Sequence, residues 1–144
     1  MSQHMTQEEI LASVQGAQDI VGWFGYWPSF HDSEVVSIEL HRSTTSHVRV
    51  HAFRGVAKTD ERGHYKQEKH ATVSFAIKDI SSLALSGFNN QNVLSALLLK
   101  KVDAGTQLIL ADCYGVAGEI TAGNIACSLV SGSPVGSIYE NTNS

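Results

Sequence analysis

The side chains best able to do chemistry stand together in GYWPSFHDSEVVSIEL, from Gly25 to Leu40, where His31 and Asp32 are adjacent behind Tyr26, Trp27, Pro28 and Phe30. A His-Asp dipeptide can supply two metal ligands to a phosphohydrolase. That chemistry needs further His and Asp ligands from other helices, and this sequence encodes no helical bundle to bring them. The competing reading is structural: Asp32 or Ser33 caps a turn, Asp32 satisfying backbone donors as a strand begins, while His31 hydrogen-bonds locally. On that reading Trp27 and Phe30 are buried and Pro28 stiffens the turn that joins a helix to a sheet.

A second constellation is His41, His47 and His51, which fall with Arg49 on one face of a hairpin. Two imidazoles at cross-strand distance can bind zinc or nickel, and Glu39 is the nearest carboxylate to support them. Three histidines on a solvated face are otherwise polar surface. Cys113 precedes a glycine turn, as a nucleophile can, but its strand neighbours are apolar and no base partners it; Cys127 lies in a similar run. Burial raises a thiol's pKa and keeps it inert, so both read as small buried hydrophobes. Gly115-Val116-Ala117-Gly118 is followed by no lysine and opens no helix, so it is a hairpin turn and not a phosphate loop.

The elements that must position these groups follow from periodicity. Thr6 and Glu9 form a capping box, and Ile10, Val14 and Ala17 share a helical face, which gives a helix over about 6–23, with Gly16 able to divide it. From Ser33 the period is two: Val36, Ile38 and Leu40, then Val48, Val50 and Ala52, joined through RSTTS. Placing Leu40 opposite Val48 sets Glu39 against Arg49 and His41 against His47. Lys58 to Lys69 is polar and reads in its middle as a solvated loop or hairpin tip. Strands follow over Thr72–Lys78, Leu83–Leu85, Val93–Val102, Leu108–Cys113, Val116–Thr121 and Ile125–Val130, with GFNNQN as a turn. The expectation is an α+β chain, mostly β, forming one domain over 1–144. An N-terminal helix packs on an antiparallel sheet or sandwich of about eight short strands (β region about 33–131), and a frayed tail covers 132–144.

The bulk properties narrow the function classes. The chain has 144 residues, 42% hydrophobic and 17% charged, enough for one real core. A net charge of -4 argues against a nucleic-acid partner, which favours a basic face. No long apolar run and no leader-like segment appears, so the expectation is a cytoplasmic protein with no membrane partner. His4-Met5 resembles a cloning remnant and carries no weight.

The stretch GYWPSFHDSEVVSIELHR resembles the Immunity protein 50 family of bacterial polymorphic-toxin systems, whose members carry a W-P-S-F-H-D-[AS]-E-V pattern before a strand ending in a basic residue. GFNNQNVLSALLL, Gly87 to Leu99, is similar to the family's G-F-N-x-Q-N-V-I segment, and DCYGVAGEITAGNIACSLV, Asp112 to Val130, to its C-Y-G-L-x-G segment and following strand. Ser95-Ala96 replace an acidic residue common in the middle strand. The resemblance runs in order from about Trp23 to Pro134. It implies a small β-rich protein, not an enzyme and without a cofactor, that binds and neutralises a cognate protein toxin; a homodimer is compatible with it. The matching residues Trp27, Ser29, Phe30, His31, Asp32 and Glu34, with Pro28, are implied as a structural signature first and a binding surface second. The alternative function is a metal-binding or metal-dependent domain using His31 and Asp32 or the His41, His47 and His51 face.

Overall fold

The computed structural model describes residues 5–59 and 65–132, with only the backbone given for 54–59, 65–69 and 112–113. The loop or hairpin tip expected within Lys58–Lys69 is shorter than that stretch, since strand runs to Thr59 and resumes at Tyr65; residues 60–64 and the tail beyond Gly132 lie outside the described residues.

Two helices open the chain, the expected helical stretch being divided at Gly16. Helix α1, Gln7–Ser13, starts on the predicted capping box: the Thr6 hydroxyl accepts from the Glu9 N–H at 3.1 Å, and the Glu9 carboxylate accepts from the Thr6 N–H at 3.1 Å. It buries Ile10 and Leu11. Helix α2, Ala17–Phe24, buries Ala17, Ile20 and Phe24 completely. The break is forced at Gly16, whose φ of 87° is left-handed and whose missing side chain lets the linker lie on β6 (Ala117–Ser131); a Cβ there would collide with the Cys127 carbonyl.

Six strands form a closed antiparallel barrel in the order β1-β2-β3-β6-β5-β4. The others are β1 (Glu34–Glu39), β2 (Ser46–Thr59), β3 (Tyr65–Ser86), β4 (Val93–Val102) and β5 (Gly105–Tyr114). Alternate residues face inward as the period of two requires: Val48, Val50 and Ala52 on β2, Val73, Phe75 and Ile77 on β3, Leu108 and Leu110 on β5. Each large apolar side chain so enclosed contributes about 2 kcal/mol.

The expected count of eight strands falls to six because two apparent turns are bends in continuous strands. Lys78 pairs with Asn124 and Ile80 with Ala122, so the ladder continues past Asp79, which is left-handed at φ 59°, and past Gly123 opposite it. Ser81 then forms a bulge. On β6 the buried apolar set changes from odd positions (Cys127, Ile125) to even ones (Ala122, Ile120) across this bend, which in sequence looks like two strands. Leu83 is exposed beyond it, although Phe75 and Ile77 before it face inward.

The helices cover what the strands leave open. The described β5–β6 ladder reaches only Thr106↔Ala122, so the far half of β6 has β3 on one side alone. There the Cys127 N–H donates to the Gln15 carbonyl at 2.8 Å and α2 packs against the strand, while α1 packs on β4. Cys127 is buried, and burial pushes its thiol up to about 12. This agrees with the inert reading; the Cys113 side chain lies outside the described residues.

Two glycines separate backbone need from helix propensity. Gly16→Ala should cost at least about 2 kcal/mol through left-handed strain and the Cys127 collision. Gly22→Ala, in α2 with open space around it, should gain about 0.5–1 kcal/mol. Thermal or urea melts of the two variants measure both.

Candidate functional site

The three motif stretches, far apart in sequence, meet where the barrel closes. Between β1 and β4 the ladder holds one registered pair, Glu34↔Val93. Around it the Asp32 N–H donates to the Leu94 carbonyl, the Leu94 N–H to Ser33 and the Val35 N–H to Asn92, each at 2.8 Å. The third stretch is bound in by a side chain. Buried Asn92 accepts at Oδ1 from the Asn89 N–H at 3.0 Å and the Val116 N–H at 3.1 Å, and its Nδ2 donates to the Asn89 carbonyl at 2.7 Å. Gly115 is left-handed against Asn92, and Gly87 lies so close to the Gly115 carbonyl that neither position has room for a Cβ.

The first stretch reaches this seam through a strained turn. The Ser33 N–H donates to the Phe30 carbonyl at 3.1 Å, and the His31 N–H donates to the Ser29 hydroxyl at 3.2 Å. Phe30 and Asp32 are both left-handed, at φ 62° and 64°. That conformation is costly for a phenylalanine, and here burial offsets the cost. The Phe30 ring packs edge-on to Trp27 at 5.6 Å and against Phe75, in the barrel core, at 6.1 Å. Trp27 is half-buried and also lines a cleft of about 410 Å³ between α1 and β4. Pro28 is buried, as a stiffening turn residue should be.

Asp32 corrects the sequence reading. Its carboxylate does not take up backbone donors; it is exposed and sits 3.3 Å from Nδ1 of the equally exposed His31. Its backbone holds the seam, and Ser29 supplies the local side-chain cap. His31 and Asp32 therefore present polar groups to solvent. Glu34 is half-buried behind them with Oε1 shielded and without a hydrogen-bond partner, and burial raises its carboxyl above the ordinary range.

The histidine face is also rearranged. The β1–β2 register sets Ile38 opposite Val48 and Glu39 opposite His47, with a bulge between Val35 and Ser37 that brings Glu34 opposite His51. Leu40 therefore does not pair with Val48, nor His41 with His47. Glu39 still finds Arg49, diagonally, at 3.1 Å, and lies 3.9 Å from His47 Nδ1. His41 is exposed, its N–H donating to Ser46 Oγ at 2.8 Å. His51 is fully buried, and its Nε2 bonds His70 Nδ1 at 3.0 Å, with the rings nearly parallel. Among the described residues no group of three or more His, Cys, Asp or Glu could hold a metal ion. His41, His47 and His51 thus have three separate local roles. Sequence reasoning missed His70, since its partnership with His51 depends on the β2–β3 register.

A family model described as Immunity protein 50 matches residues 16–131, most of the chain. No curated protein and no solved structure gives a significant match. Among the described residues no helix is long and apolar enough to cross a membrane.

Asn92→Ala should cost about 3 kcal/mol, because the buried Val116 N–H loses its acceptor along with the Asn89 bonds; a melt of that variant tests it. The His51–His70 pair predicts acid sensitivity. Desolvation, reinforced by the neighbouring His70, lowers His51 from 6.5 to about 4. The unfolded chain then binds more protons between those values, so stability is retained above pH 6.5 and lost as pH falls toward 4. The loss between pH 7.5 and 5 should be about 2 kcal/mol, and His51→Gln should flatten that slope whatever its own stability.

Proposed function

We propose that this chain, which belongs to the Immunity protein 50 family, is a non-catalytic bacterial immunity protein that binds and neutralises a cognate polymorphic toxin. The observation that carries this reading is the family match itself, which takes in the seam and its three converging stretches in one span. The geometry is consistent with it. His31 and Asp32, the residues with most chemical capacity, stand exposed on a rigid turn, where a partner's surface can reach them.

A protein of this kind acts by occupying its partner. The barrel supplies a scaffold whose side chains are fixed before contact, which lowers the ordering cost of association. The chain would act in the cytoplasm of the producing cell or a neighbour, against a toxin encoded beside it.

Co-expression with the product of the adjacent gene tests this. The expected result is rescue of growth and a stoichiometric complex on purification. Growth arrest that persists at equal expression, together with no complex by size-exclusion chromatography, would overturn the proposal.

A further inference from the structure

We propose that the partner-binding surface is the outer rim of the barrel seam, with Phe88 and Tyr114 as apolar anchors and Asp32 as the charged contact, and that the protein face it takes is basic. This rests on the immunity reading and adds where the toxin sits and what chemistry its docking face carries.

The rim is continuous through the backbone. Tyr114 pairs with Val93, whose neighbour Leu94 accepts the Asp32 N–H, and Gly87, which precedes Phe88, lies against the Gly115 carbonyl that follows Tyr114. Phe88 is 56% exposed and Tyr114 58%, large apolar areas to leave in water on residues whose neighbours Gly87 and Gly115 lie against each other. Their supports are rigid. The turn carrying Phe88 is closed by Asn92 and by Asn89, which accepts from the Gln91 N–H at 2.8 Å and donates to the Gly87 carbonyl at 3.1 Å. Aromatic anchors on a preorganised backbone are what binding hot spots are made of.

Charge identifies the partner. Gly25–Val35, Gly87–Leu94 and Asp112–Gly118 together contain no lysine or arginine, although the chain has ten. Asp32 presents an exposed carboxylate there, with Glu34 half-buried behind it. Two other exposed apolar side chains have cationic neighbours instead: Leu40 shares a cleft with Arg42, and Leu98 one with Lys100 and Lys101. The seam rim is thus an apolar surface with the Asp32 carboxylate, His31 3.3 Å from it, and no lysine or arginine in the three stretches that build it. It complements a face rich in lysine or arginine and repels an acidic one or a nucleic acid.

The test is titration of the purified neighbouring toxin with the wild type, Phe88→Ala, Tyr114→Ala, the double variant, and Leu40→Ser at the other end of β1. Asp32→Asn is included because asparagine tolerates the left-handed conformation. The double variant should lose at least tenfold in affinity and Leu40→Ser less than twofold. Asp32→Asn should slow association and flatten its salt dependence, a readout that stands even if an aromatic variant folds poorly. A complex indifferent to both the aromatic changes and Asp32→Asn overturns the surface while leaving the immunity reading intact. No complex with the wild type overturns both.

Discussion

A six-stranded sheet loses its edges only if its outer strands find each other, and here β1 and β4 meet over a single registered pair and three backbone hydrogen bonds. Each such bond is worth about 1 kcal/mol net, a total comparable with a sizeable share of a small domain's stability. The other ladders run far longer, the one between β3 and β6 from Ala71↔Ser131 to Ser86↔Ala117. Closure therefore depends on placing a few atoms correctly, and the unusual conformations gather around it. Phe30 and Asp32 are left-handed, Gly87 and Gly115 nearly touch, and Asn92 spends its whole amide on the two turns it joins.

The rest of the architecture supports that placement. Phe30 can hold its strained backbone because its ring is wedged between Trp27 and Phe75. Trp27 in turn faces the cleft beside α1, so the helical pair braces the turn as well as covering the open parts of β4 and β6. Strain at one end of the molecule is offset by packing drawn from both helices and the centre of the sheet.

How much of this was legible depended on the range of the interaction. Local rules read well: the Thr6–Glu9 capping box, the burial of Phe30, the turn in GFNNQN and β4 as a strand over Val93–Val102 all follow from neighbours in sequence. Non-local geometry did not. Asp79 and Gly123 look like separate turn signals until the ladder sets them opposite each other, and eight strands become six. The hairpin register turned on a bulge at Val36 that no side-chain pattern announces, since Glu39 reaches Arg49 in either alignment. Asn92 was legible as a turn residue, but its bond to Val116 needs the fold. The candidate site divides the same way: His31 and Asp32 stood out by type, whereas Phe88 and Tyr114 join them only through the seam.

The long central strand also has a kinetic consequence. β3 is joined to β2 by a hairpin, yet its other edge waits for β6, and Ala71 must find a partner in Ser131. The β4–β5 hairpin, turning between Val102 and Gly105, forms locally in between. Two hairpins can therefore assemble early, while joining them and shutting the barrel demand loops of tens of residues whose closure entropy is met late. The family's most recognisable residues thus lie where the last contacts of folding form, and until then their apolar side chains and unpaired strand ends are open to any neighbouring chain.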